Sequence, residues 1–155
     1  MAFLHNLRLW LFPPRMTDPD FGSLLFMHIS KQPERSYWEC EWPFPNTTTI
    51  VAITLKGGES GPMPEARHFY LSLPERYEQI LVACRPRLEQ VFDHWLHERL
   101  PQDIFTVVKL SGFGLADPKE RPVRWNIGFE TTGDKWLGIT IPFVGDTAME
   151  ATVDT

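Results

Sequence analysis

The chain has 155 residues, of which 43% are hydrophobic and 23% charged, a composition typical of a folded globular protein. Fifteen Lys and Arg residues against twenty Asp and Glu residues give a net charge of −5 at pH 7. Nucleic acids and anionic lipid surfaces attract basic proteins, so this charge argues against both as partners. We expect a single domain over residues 1–155 that binds neither nucleic acid nor membrane.

The N-terminal segment and the cysteines indicate the cellular compartment of the protein. Cys40 and Cys84 are far apart and in no CxxC spacing, which suggests neither a disulfide framework nor a zinc site, so a cytoplasmic protein without cofactors is expected. The apolar residues 1–12 do not have the layout of a secretory signal, because Arg8 interrupts them and two prolines replace a small-residue cleavage site. We predict a first strand at residues 7–12, ended by the proline pair.

The rest of the N-terminal half is predicted to form strands separated by polar turns. β-branched and aromatic residues concentrate in three segments, and proline, glycine and aspartate lie between them. The second and third segments are predicted to pair antiparallel. The strands are expected at residues 21–29, 37–42 and 47–55, the turns at 17–20, 31–35 and 43–46, and a loop at 57–64.

A long amphipathic helix follows. Ser72 and Glu75 have the spacing of a capping box and predict its start, and Pro101 predicts its end near residues 99–100. Pro86 cannot donate a hydrogen bond to residue 82, so the helix should kink or split there. The apolar stripe keeps its phase across Pro86, which favours a kink. The stripe consists of Leu73, Tyr77, Ile80, Leu81, Cys84, Leu88, Val91, Phe92 and Trp95.

The C-terminal third returns to strands. We predict a buried strand at residues 104–110, a flexible loop at 111–118, a hairpin from residues 123–130 and 136–143, and a last edge strand within residues 147–155. Strands, one long helix and strands again, without regular βαβ alternation, predict an α+β fold. Its antiparallel sheet should be covered on one face by the long helix that Pro86 kinks.

Two histidines are weak candidates for metal ligands. His94 and His97 are three residues apart near the end of the predicted helix, with Asp93 and Glu98 beside them. The spacing is not HExxH, and the sequence shows no third ligand. The alternative is that both histidines lie on the solvated flank of the helix. A small metal-dependent hydrolase that uses His94, His97 and nearby carboxylates is therefore kept as an alternative function.

The strand at residues 37–42 is the candidate binding surface. Side chains of a strand alternate, so Tyr37, Glu39 and Glu41 share one face and Trp38 and Trp42 share the other. A sheet covered on one side should leave some of these aromatic rings exposed. Exposed aromatic residues rimmed by charge are typical of protein interfaces, and an acidic rim suits a basic partner. The candidate binding residues are Tyr37, Trp38, Glu39, Glu41, Trp42 and Phe44.

A resemblance supports the same function. The DPxFG sequence of residues 18–22, followed by Tyr37, Trp38 and Glu39 and by a strand over residues 49–55, resembles small bacterial proteins classed as domains of unknown function. In those proteins a similar opening precedes a hairpin, a helix and a C-terminal sheet. Some members are suspected to be immunity proteins paired with toxins, so the resemblance implies a basic toxin as the partner.

The sequence thus favours a non-enzymatic binding protein of the bacterial immunity type, which binds a basic protein partner through an acidic, aromatic-edged surface. No catalytic motif supports an enzyme, although the hydrolase that uses His94 and His97 is not excluded. A homo-oligomeric structural protein, in which two copies form a homodimer through an edge strand, is the third alternative.

Overall fold

The structure is a computed structural model that describes all 155 residues, and its helices and strands confirm the predicted α+β class. The chain divides into two compact units, Met1–Leu71 and Ser72–Thr155. The prediction of one domain over residues 1–155 stays a prediction. None of the helices is long and apolar enough to cross a membrane.

The first unit is an antiparallel sheet with two helices. Strands β1 to β4 pair in chain order, and β5 pairs with the end of β4. A 3₁₀ turn at Pro33–Arg35 separates β2 from β3. The elements are α1 Ala2–Leu11, β1 Arg15–Asp18, β2 Gly22–Met27, β3 Tyr37–Pro43, β4 Ile50–Gly58, β5 Gly61–Pro62 and α2 Pro64–Ser72.

One face of this sheet forms the core of the unit. The predicted β3–β4 pair is confirmed, with Trp38 opposite Leu55 and Trp42 opposite Val51. All four side chains are buried. Helix α2 contributes the buried Tyr70, whose hydroxyl donates a 2.8 Å hydrogen bond to a β4 carbonyl. The buried side chains of this core therefore alternate along the two paired strands, as the sequence predicted.

The prediction of a first strand at residues 7–12 is wrong, because this segment belongs to helix α1. The helix contains alanine and four leucines but no β-branched residue, a composition that favours the α-helical backbone. Pro13 follows its C-cap residue Phe12, so the proline pair does end the element as expected. The apolar residues of α1 recur at helical rather than strand spacing.

The DPxFG sequence is a structural turn between β1 and β2. The buried Asp18 accepts hydrogen bonds at Oδ1 from the backbone N–H groups of Asp20 (2.8 Å) and Phe21 (3.1 Å). Its Oδ2 accepts from the Arg67 guanidinium of α2, which also bonds Asp20 and lies 5.2 Å from the centre of the Phe21 ring. Gly22 has φ +81°, which glycine adopts without strain.

The second unit has one long helix and five strands. Strands β6, β7 and β8 pair antiparallel in chain order, and β9 and β10 both pair with β8. Helix α3 contacts β9, and its buried side chains include Ile80, Cys84 and Leu88. The elements are α3 Tyr77–Val91, β6 Val108–Leu115, β7 Arg124–Thr131, β8 Gly138–Val144, β9 Thr147–Ala148 and β10 Thr152–Asp154.

The helical region differs from the prediction at both ends. Ser72 ends α2 instead of capping the long helix, and a 3₁₀ turn at Pro74–Arg76 precedes α3. No side chain caps α3, so the predicted capping box is wrong. The helix does not reach residues 99–100, because a turn of π-helix at Phe92–Leu96 ends at His97, whose φ of 54° is left-handed.

Helix α3 continues through Pro86 as one element, so the alternative of two separate helices is excluded. Proline at this position leaves the carbonyl of Val82 without its usual donor. Val82 and Pro86 are both exposed, and water can bond that carbonyl on the solvent side. The cost of an internal proline is thereby limited.

The C-terminal strands follow the prediction with two corrections. Residues 104–106 form a 3₁₀ turn instead of a strand, and β6 extends through most of the predicted loop at 111–118. A register shift between Leu110 and Gly112 lets β6 continue along β7. The hairpin of β7 and β8 is confirmed, and so is a last strand within residues 147–155.

Candidate interaction surface

Three of the six candidate binding residues are core residues. Trp38, Trp42 and Phe44 are buried, and the Trp38 indole N–H donates a 2.8 Å hydrogen bond to the Gly58 carbonyl. Trp42 makes an edge contact with the Phe21 ring, with the ring centres 5.1 Å apart. Of the aromatic residues expected to be partly exposed, only Tyr37 is, because both tryptophans point to the covered face.

The other three candidates share the opposite face of β3. Glu41 is exposed, and Tyr37 and Glu39 are half-buried. Lys56 of β4 lies directly opposite Tyr37. Arg15 of β1 is likewise exposed and pairs with the β2 residue that lies opposite Glu39. Two cations thus accompany the two glutamates on this sheet, and the face is less acidic than the sequence of β3 alone suggests.

The two candidate metal ligands are not brought into one site. His94 lies within the π turn and lines one surface depression, whereas His97 is the left-handed residue after that turn and lines another. The structure contains no group of three His, Cys, Asp or Glu side chains that could hold a metal ion. The alternative of a metal site at His94 and His97 gains no support from this geometry.

Both cysteines are unsuited to nucleophilic chemistry. Burial, together with the nearby Asp18 carboxylate, raises the pKa of the Cys40 thiol to about 12. Burial alone raises the pKa of the Cys84 thiol to about 12. The thiolate is the reactive form, so both side chains act as core residues at neutral pH.

A surface that the sequence did not identify surrounds Trp95. This indole is 38% exposed and forms a wall of two adjacent depressions of about 410 and 370 Å³. Leu96 and the buried Phe92 line the larger depression beside it. We call this region the Trp95 surface; it comprises Trp95, Leu96, Glu98, Asp134, Lys135 and Glu150.

Lys135 fixes the position of the indole. Its ammonium donates a 3.0 Å hydrogen bond to the backbone carbonyl of Trp95 and lies 5.9 Å from the centre of the ring. An ammonium group at this distance from an indole ring makes a favourable cation–π contact. The ring therefore already accepts one cation from its own chain.

Three carboxylates surround this indole. Glu98 and Asp134 line the larger depression and Glu150 lines the smaller one. All three are exposed, and none takes part in an ion pair, whereas other acidic residues of the same unit, such as Glu89 and Glu130, are paired with arginine or lysine. Lys135 and Arg87 line the same depressions, so the Trp95 surface combines an exposed aromatic ring with three carboxylates and two cations, a small excess of negative charge.

The sequence missed this surface because it placed Trp95 on the buried stripe of the helix. A π turn contains more residues than an α-helical turn, so side chains after Val91 rotate away from the extrapolated stripe. The predicted α-helical phase therefore no longer applies at Trp95. The backbone N–H groups of His97 and Glu98 both donate to the Phe92 carbonyl and close the turn.

In comparisons with known proteins, no protein-family model, no curated protein and no solved structure matches this chain. The resemblance of residues 18–22 to bacterial domains of unknown function stays a hypothesis. Since Asp18 builds the β1–β2 turn, that motif has a structural reason that does not depend on any function.

Proposed function

We propose that the protein is a non-enzymatic binding module that holds a basic protein partner through the Trp95 surface. The observation that carries this proposal is the half-exposed indole of Trp95 between two depressions edged by unpaired carboxylates. The proposed partner is the basic protein predicted from the sequence, but the proposed contact lies at the end of α3 instead of on β3.

The chemistry of this surface suits the side chains of arginine and lysine. A guanidinium or ammonium group gains from the face of an indole, and a carboxylate beside the ring supplies charge-assisted hydrogen bonds to the same cation. Glu98 and Asp134 line the same depression as Trp95, so one basic side chain in that depression has both kinds of partner. Tryptophan is also among the residues that most often dominate binding energy in interfaces.

The net charge of −5 supports the same kind of partner. Opposite net charges accelerate encounter, and this acceleration falls as salt is added. The resemblance to suspected immunity proteins names a basic toxin as the specific form of that partner. An acidic protein that covers the working surface of a basic toxin fits both arguments.

The test compares three versions of the chain in affinity capture from the native lysate, followed by titration of the purified captured protein. Trp95→Ala with Glu98→Lys alters the proposed surface, and Glu39→Lys with Glu41→Lys alters the exposed face of β3 as a matched control. We expect a basic protein that binds the wild type and the β3 variant alike. Its affinity for the Trp95 variant should fall roughly 30-fold or more.

Circular dichroism of each variant establishes that it is folded. If only the β3 variant loses binding, the contact lies at Tyr37, Glu39 and Glu41, and the proposal that the partner binds the Trp95 surface is wrong. Binding that neither variant weakens, or a captured partner that is acidic, would also contradict the proposal.

A further inference from the structure

Helix α1 presents its apolar face to solvent. Phe3 and Trp10 are 75% and 77% exposed, and Leu4, Leu7 and Leu11 on the same side are exposed as well. These residues recur at positions i, i+1, i+4, i+7 and i+8, so they form one stripe along the helix. An amphipathic helix of a folded protein ordinarily turns such a stripe towards the core.

The opposite side of α1 attaches the helix to its own unit mainly by polar contacts. His5 and Arg8 both contact the Glu59 carboxylate at the tip of the β4–β5 hairpin, at 3.3 and 2.5 Å. Asn6 Oδ1 lies 2.9 Å from His28 Nε2. Leu9 is the one buried side chain of the helix. The helix is therefore anchored with its apolar stripe facing away from the body.

Helix α1 needs another surface against which its apolar stripe can be buried. Isolated helices shorter than about 12–15 residues are marginal in water, and packing of the apolar face normally stabilises them. Helix α1 has ten residues and fully buries only Leu9 within its own unit, and exposed ion pairs such as Arg8 with Glu59 contribute little. Burial of the stripe would add the packing that the helix lacks within its own unit.

The exposed stripe is large enough for half of a small dimer interface. Its two aromatic and three leucine side chains together expose roughly 600 Å². Two such stripes facing each other would bury about 1,200 Å² in total, which is the lower end of the range for specific interfaces.

We propose that two copies of this chain form a symmetric dimer in which the two α1 helices pack through Phe3, Leu4, Leu7, Trp10 and Leu11. The stripe contains no charged residue, so a two-fold axis places apolar surface on apolar surface in spite of the net charge. Leu4, Leu7 and Leu11 have the i, i+3, i+7 spacing of the seam between paired helices. This contact lies on a helix, whereas the sequence suggested pairing through an edge strand.

A lipid surface is less suitable than a second copy of the chain for burying the stripe of α1. Helices that lie on membranes usually carry several Lys or Arg residues on the polar face. The only such residue in α1 is Arg8, which is paired with Glu59, and the net charge of the chain is negative. The observations therefore favour a second copy.

The test measures molar mass by light scattering from about 1 to about 100 μM protein, a range that spans moderate dimer affinities. We expect the wild type to reach twice the mass of the single chain. Leu7→Glu should raise the dimer dissociation constant roughly a hundredfold or more, since it places a charge in the centre of the seam. Val82→Glu is the matched control, because Val82 is 73% exposed on another helix, and it should remain dimeric.

A second variant covers the case in which Leu7→Glu does not fold. Leu7→Cys, oxidised at low protein concentration, should form a disulfide-linked dimer, and Val82→Cys should not. The proposal is overturned by a wild type that stays monomeric over the range, or by a dimer that Leu7→Glu leaves intact. It is also overturned if monomeric wild type binds phosphatidylcholine vesicles, with or without phosphatidylserine, and shows a shift of tryptophan fluorescence that Trp10→Ala abolishes.

Discussion

Asp18 and Arg67 make a buried, multiply hydrogen-bonded contact in the first unit. The buried carboxylate accepts two backbone N–H groups of its own turn and the guanidinium of α2. This arrangement ties the β1–β2 turn to the helix that covers the sheet. Removing one partner of a buried pair costs more than the pair contributes, because the other partner is left desolvated.

We expect Asp18→Ala to lower the free energy of unfolding by roughly 2–4 kcal/mol, since it removes three accepted hydrogen bonds and leaves the Arg67 guanidinium with one carboxylate fewer. Urea unfolding monitored by tryptophan fluorescence measures the change. Asp20→Ala is the matched control: this carboxylate also binds Arg67 but is 45% exposed, so its loss should cost less than about 1 kcal/mol. Equal losses for the two variants would contradict this account.

At the scale of single elements, strand periodicity predicted the structure better than helix boundaries. Buried side chains alternate with more exposed ones in β3, β4, β7 and β8, as the sequence predicts, because one side of each strand is more fully covered than the other. The same alternation predicted the candidate surface on β3 only in part. It separated Glu39 and Glu41 from Trp38 and Trp42, but it could not show which of the two faces the core covers.

The missed elements have local causes. The apolar run of helix α1 predicts a strand because it is short and ends at prolines, which are compatible with either element. The π turn that exposes Trp95 has no sequence signal comparable to a cap or a proline, since it depends on how the last turn of the helix closes on Phe92. A helical stripe extrapolated through such a turn places the next side chain on the wrong side.

Pro86 provides a test at this scale. We expect Pro86→Ala to raise the free energy of unfolding by roughly 1–2 kcal/mol, because it restores the hydrogen bond to the Val82 carbonyl within α3. Part of that gain is offset by the greater freedom of the unfolded alanine chain. Pro74 stands at the first position of a 3₁₀ turn, where proline has no donor to lose, so Pro74→Ala should give no gain. Urea unfolding of the two variants measures whether the restored hydrogen bond outweighs the greater freedom of the unfolded chain. A Pro86→Ala variant less stable than the wild type would show that Pro86 determines the direction of the helix.

At the scale of the whole chain, buried thiols and phenols determine how stability responds to alkaline pH. Burial raises the pKa of Cys40, Tyr77 and Cys84 to about 12 and also raises the pKa of Tyr70. The ordinary values are 9.0 for the thiols and 10.0 for the phenols. In the unfolded chain these groups therefore lose their protons at lower pH than in the folded chain.

The sign of the effect follows from this order. Well below pH 9 the four groups are neutral in both states and contribute no pH dependence. As the pH rises above 9, the unfolded chain ionises first and is stabilised, so the free energy of unfolding falls until the folded groups ionise in turn. Each group contributes a slope of about 1.4 kcal/mol per pH unit. Because the four groups shift in the same direction, the free energy of unfolding falls through the window from pH 9 to 12.

We expect the free energy of unfolding, measured in urea, to be nearly flat with respect to these groups between pH 7.5 and 8.5, and then to fall steeply between pH 9 and 11. Cys84→Ala removes one of the four groups and should reduce that fall by about 1.4 kcal/mol per pH unit, whatever it does to stability at neutral pH. The slope with pH, and not the absolute free energy, is the quantity to compare, because the substitution also leaves a small cavity. A wild-type free energy of unfolding that does not change up to pH 11 would show that the four groups have the same pKa in the folded and the unfolded chain. The same slope in Cys84→Ala as in the wild type would exclude Cys84 as one of the groups responsible.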